Sequence, residues 1–137
     1  MIKKILVFWF LVMSFSCSDN TQINDCFTGI NIFEILNLRL PAYQNLNIDG
    51  LSVTATINGR NIHIIRNNAS NFIAFDLECP ERNCNKPLKL NLPKIICECH
   101  NIEYNYLEGG RPINQEGCSM LMYSVSLKGN EALEIRN

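Results

Sequence analysis

No G-x-S-x-G elbow and no glycine-rich phosphate loop occur in this chain, so neither a strained serine nucleophile nor a backbone anion cradle is available to it. Histidine is scarce, at two residues, and the acidic residues are scattered without an evident pair, which leaves general acid–base hydrolysis unsupported. A basic excess is missing too. Twelve Lys and Arg face thirteen Asp and Glu, giving no electrostatic reason to expect nucleic acid as a partner. No segment shows the apolar stripe of an amphipathic helix, and neither an internal repeat nor a low-complexity tract is visible.

A long apolar run is also lacking, and the short one present lies at the start. Lys3 and Lys4 precede Ile5 to Met13, and Ser14-Phe15-Ser16 leads to Cys17. That run is too short for a membrane-spanning helix and has the layout of a secretory signal covering residues 1–16. A cysteine directly after such a site resembles the bacterial lipoprotein signal, with Ser14 standing where leucine is usual. The resemblance implies that Cys17 is lipidated and that the protein is held on a bacterial membrane of the cell envelope. Residues 17–25 then form a short polar tether, and 26–137 form one domain, a length sufficient to enclose a single core.

From Cys26 onward the pattern is β. Apolar and polar residues alternate in short runs separated by turn residues: Ile30 to Leu40, Leu51 to Ile57, Ile62 to Arg66, Phe72 to Leu77, Leu88 to Leu92, Ile95 to Ile96, Glu103 to Tyr106, Met120 to Leu127 and Ala132 to Arg136. Asn58-Gly59 is a hairpin signal, and Lys128-Gly129-Asn130 marks the last turn. Such spacing predicts an antiparallel sandwich or small barrel, with His63 on a strand, half-buried or at the surface.

What the chain has in abundance is cysteine, and the cysteines cluster. Four of the seven, with one of the two histidines, fall between Cys79 and His100: Cys79-Pro-Glu81-Arg-Asn-Cys84 in one loop and Cys97-Glu-Cys99-His100 in another. Sulfur and imidazole gathered on two loops can close disulfides, grip a metal or do both. Once Cys17 carries lipid, six cysteines remain, an even number, and outside the cytoplasm all could be paired.

This pair of loops resembles those of the Rieske family, which carry C-x-H-x-x-C and C-x-C-H patterns around a 2Fe-2S cluster. Further resemblance lies in Tyr104, four residues after His100, in the pair Gly109-Gly110, and in Glu116-Gly117-Cys118 at the place of the family's third loop. The likeness extends from about Leu51 to Arg136. It implies an all-β, Rieske-like fold with a two-loop subdomain. By position, Cys79, Cys97 and His100 would be ligands, Cys84 and Cys99 a disulfide, and Tyr104 and Cys118 neighbours of the centre.

One ligand departs from the family, because Glu81 occupies the place of the first histidine. A carboxylate is harder and more negative than imidazole, so as a ligand it would favour ferric iron and depress the potential. Ile102 stands where some members carry a serine that bonds a cluster sulfide, which acts in the same direction. The expectation is therefore a membrane-anchored one-electron carrier with a 2Fe-2S site degraded at Glu81, serving an unidentified redox partner and having no catalytic residues of its own. The competing expectation is a domain without a cluster, in which Cys79 closes on Cys97, Cys84 keeps Cys99, and Cys26 staples the start of the domain to Cys118. A zinc site built from Cys79, Cys97, His100 and either Glu81 or Cys118 is a third possibility.

Overall fold

The computed structural model describes residues 26–137, so the signal segment, Cys17 and the whole of the proposed tether lie outside the described residues. Among the described residues there are ten strands: β1 (Phe33–Asn37), β2 (Ser52–Ile57), β3 (Arg60–Arg66), β4 (Phe72–Asp76), β5 (Lys89–Asn91), β6 (Lys94–Cys97), β7 (Ile102–Asn105), β8 (Arg111–Pro112), β9 (Met122–Lys128) and β10 (Ala132–Arg136). They form a six-stranded sheet in the order β1-β10-β9-β4-β3-β2 and a four-stranded sheet in the order β5-β6-β7-β8. Every named strand pairing is antiparallel. The fold is all-β and antiparallel, as expected.

Local chemistry accounts for the registers. Asn58 and Gly59 both take positive φ, 49° and 76°, the geometry that lets a two-residue turn match strand twist, and Ile57 consequently pairs with Arg60. The first aliphatic run is shorter as a strand than its alternation suggests. Pro41 cannot donate to a ladder but suits the first turn of a helix, and Pro41–Asn47 is a short 3-10 helix that buries Leu46. A second, Tyr106–Glu108, has Asn105 capping it through a hydrogen bond donated by the Leu107 amide. Neither helix was expected from the apolar pattern, since both are too short to display a stripe.

Two apolar cores result, one on each face of the β3–β4 pair. Ile62, Ile64, Phe72 and Ala74 join Leu36, Leu133 and Ile135 in the main core. Their neighbours in period, Ile65, Phe75 and Leu77, point the other way and pack with Cys79, Cys97, Ile95, Tyr104 and Met120 beneath the small sheet. His63 lies on that second face and is only 5% exposed, not half-buried or at the surface as the sequence suggested. The small sheet covers a face that would otherwise be open to water. His63 shares a hydrogen bond with Thr54 Oγ1 at 2.8 Å through Nδ1, and its ring lies 5.5 Å from that of Phe75. Burial pushes the imidazole below its ordinary pKa.

Candidate metal centre

The first cysteine loop leaves β4 and returns to β5, and its base is tied shut. Leu88 donates its amide to the Leu77 carbonyl at 2.7 Å, and Glu78 bridges to Pro87. Asp76, 1% exposed, anchors the entrance. One of its oxygens accepts from the Glu78 amide at 2.8 Å, while the other accepts from Tyr123 Oη at 2.7 Å and from Arg60 Nε. Arg60 also donates to Glu78. Burial by itself would lower the Arg60 pKa, but the bonds to Asp76 and Glu78 and the charge of Asp76 carry it above the ordinary value. Burial, with the Asp76 bond, likewise raises Tyr123. The network sets where Cys79 begins, and the sequence reading missed it. A signal existed: Asp76 shares the strand period of Phe72 and Ala74, so a charge stands where an apolar residue is due.

The second loop joins β6 to β7, turning through Asn101 at φ 52°. Lys86 and Lys89 of the first loop region reach Glu98 of the second at 3.7 and 3.4 Å, exposed ion pairs that orient the loops more than they stabilise them.

Between the loops the structure brings the four loop cysteines together. Cys79 and Cys97, 0% and 1% exposed, are joined as a disulfide with their Cα atoms 5.8 Å apart, and Cys84 is joined to Cys99. The Sγ atoms of Cys79, Cys84 and Cys97 all lie within 4.8 Å of one another. His100 is exposed, with Nδ1 3.6 Å from Cys97 Sγ. Cys118, on the third loop, is bonded to Cys26. Glu81 turns toward that loop: a Cβ at Gly117 would sit 3.7 Å from Glu81 Oε1. Tyr104 is fully buried in the small core, and its phenol is pushed up to about 12 by burial and by the charge of Glu81. The carboxylate and the phenol therefore sense each other.

The sequence matches the Rieske [2Fe-2S] domain family over residues 39–123, more than half of the chain, and the chain belongs to that family. No curated protein matches it. Among solved structures it is similar to a protein from Mycobacterium tuberculosis assigned as the small subunit of an NADH-dependent nitrite reductase, at 13% identity and TM-score 0.50, covering 79% of this chain and 96% of that one. It is also similar to the ferredoxin of carbazole 1,9a-dioxygenase from Nocardioides aromaticivorans, at 17% identity and TM-score 0.45, covering 64% and 86%. The 13% identity at a TM-score of 0.50 speaks to the fold alone.

A Rieske domain implies a 2Fe-2S cluster and is typically an electron carrier. The residues present fit such a group on two counts. Two buried sulfurs already meet at one point, with an exposed imidazole 3.6 Å from Cys97 Sγ and a carboxylate two residues after Cys79 in the first loop. In addition, the buried Tyr104 hydroxyl has no hydrogen-bond partner among the described residues, an orphan donor that an acceptor sulfur or sulfide at this centre would satisfy. Binding requires Cys79 and Cys97 as thiolates, so the bond between them must first be reduced.

Proposed function

We propose that this chain is an exported, lipid-anchored electron-transfer domain whose 2Fe-2S site is held by Cys79, Cys97, His100 and, in place of a histidine, Glu81. The observation that carries the reading is the convergence of the Cys79 and Cys97 sulfurs in a buried pocket, with the orphaned Tyr104 hydroxyl in the same small core. A cluster held there supplies a one-electron store. Burial of Cys79 and Cys97 and exposure of His100 support this reading, because the sulfur side would be shielded while a partner protein could approach the imidazole. Exposure of His100 suits a carrier, which must bring its centre close to a partner protein. A second reading, a cluster-free domain stapled by disulfides, is favoured by one observation: the six described cysteines are joined as Cys26–Cys118, Cys79–Cys97 and Cys84–Cys99.

Visible absorption and low-temperature EPR after dithionite, with a thiol count on the same sample, separate the two. The carrier gives a reduced-cluster signal that Glu81→His strengthens and shifts toward the ordinary Rieske type. Colourless protein after reconstitution, with no free thiols and no gain in the Glu81→His variant, overturns it in favour of the stapled module. Anchoring is tested separately by fractionation: Cys17→Ala should move the protein out of the membrane fraction, and unchanged recovery with membranes overturns the lipid anchor.

A further inference from the structure

The four loop cysteines are arranged as an outer and an inner pair. Cys99 is exposed, its partner Cys84 is 8% exposed, and the inner Cys79 and Cys97 are closed off from solvent. A reductant in solution can therefore reach the outer bond at Cys99 but cannot reach the inner one. Cys84 joins the two: bonded to Cys99, it also lies within 4.8 Å of both inner sulfurs. Cys84 also lines a cleft of about 270 Å³ together with Arg60, Glu78, Asn85 and Lys86.

We propose that these cysteines carry out an intramolecular thiol–disulfide relay, in which an external dithiol opens the Cys84–Cys99 bond at Cys99 and the freed Cys84 sulfur opens the buried Cys79–Cys97 bond. The dithiol's first thiolate bonds to Cys99 Sγ as the Cys84–Cys99 bond breaks, and the electron pair leaves on Cys84. The dithiol's second thiolate displaces Cys99, closing the reductant's own disulfide. The Cys84 thiolate then bonds to one inner sulfur and expels the other as a thiolate. Finally Cys99 attacks Cys84, restoring the outer bond and releasing the second inner sulfur. In sum, two electrons and two protons pass from the dithiol to Cys79 and Cys97, and the outer bond is regenerated. The relay belongs to the metal-free protein. It delivers the two buried thiols a metal would need, yet it does not depend on a metal binding afterwards.

Two variants that lose the same bridge isolate the exchange. Full-length Cys99→Ser and Cys84→Ser proteins, purified without reductant, are alkylated under denaturing acid quench, and the labelled and linked peptides are identified by mass spectrometry. In Cys99→Ser the free thiol should spread from Cys84 onto Cys79 and Cys97, with peptides linking Cys84 to an inner cysteine. In Cys84→Ser the label should stay on Cys99. Label confined to Cys84 in the first variant overturns the relay. Wild-type protein given one equivalent of dithiothreitol extends the test to the intact fold: transient Cys84–Cys79 or Cys84–Cys97 links should form as its inner pair opens, at least tenfold faster than in Cys84→Ser. Equal rates and no such links overturn it.

Discussion

The two sheets of this domain are held together by different means. The six-stranded sheet rests on a broad aliphatic core with Leu133, Ile135, Ile62 and Ile64 essentially sealed from water, and three of its five strand pairings join consecutive strands. The four-stranded sheet has strands of two to four residues, and Lys89–Asn91 is exposed throughout. Beneath it much of what is buried is sulfur. Apolar area scales with strand length, so strands this short cannot bury enough of it to order two long loops, and covalent bonds supply the remainder. Where a protein needs loops in a fixed arrangement at its surface, the cross-links that order them and the ligands that give them a function are drawn from the same residue type.

The sharpest way to break that contrast is to remove a bridge. Replacing both Cys26 and Cys118 with serine deletes a cross-link spanning 92 residues and should cost roughly 4 to 5 kcal/mol, measured as a shift in the urea midpoint. The Cys84–Cys99 bond spans only 15 residues, and the corresponding loss should be closer to 3 kcal/mol. An unchanged midpoint in the Cys26/Cys118 variant would mean that packing alone holds the third loop and that the contrast between the sheets is false.

A smaller effect is expected at the seam between the sheets. Gly109 and Gly110 both have positive φ, but a Cβ at Gly109 meets nothing within 4 Å, whereas one at Gly110 would lie 2.7 Å from Met120 Cβ. Met120 also donates its amide to the Gly110 carbonyl at 2.8 Å. Gly110→Ala should therefore cost roughly 2 kcal/mol, from overpacking and an unfavourable φ together, and Gly109→Asn less than about 1. Thermal unfolding of the pair reads the difference, and equal shifts would show that the seam is loose.

The smallest effect concerns His63, which lies between β3 and the small sheet's core. Its pKa is lowered in the folded protein, so the unfolded chain binds the proton more readily, and stability should fall as pH drops below the ordinary imidazole value of about 6.5. Urea titrations at successive pH values should show this slope flattened in His63→Gln. The same slope in both proteins would assign it to another group.

Much of this was legible in the residues. Alternation and the Asn58-Gly59 turn announce β2 and β3 because the side-chain period of a strand and the φ demands of a tight turn are local properties. The two cysteine loops announced the centre because ligand spacing within a loop is written directly in the sequence. What escaped was long-range. Whether His63 faces solvent depends on a sheet that arrives thirty residues later. Asp76 is stabilised by Arg60 and Tyr123 from two other strands, so only their convergence in space turns a misplaced charge into an anchor.

The Cys26–Cys118 bond has a mechanical consequence as well. Tension applied to the chain ahead of Cys26 would pass through sulfur into the third loop rather than shear the β1–β10 ladder. The 92 residues it spans, at roughly 3.3 to 3.6 Å each, amount to some 300 Å of contour length that cannot be drawn out while the bond is intact. Under pull the oxidised domain therefore withholds that length between Cys26 and Cys118, and reduction releases it as a long, compliant leash.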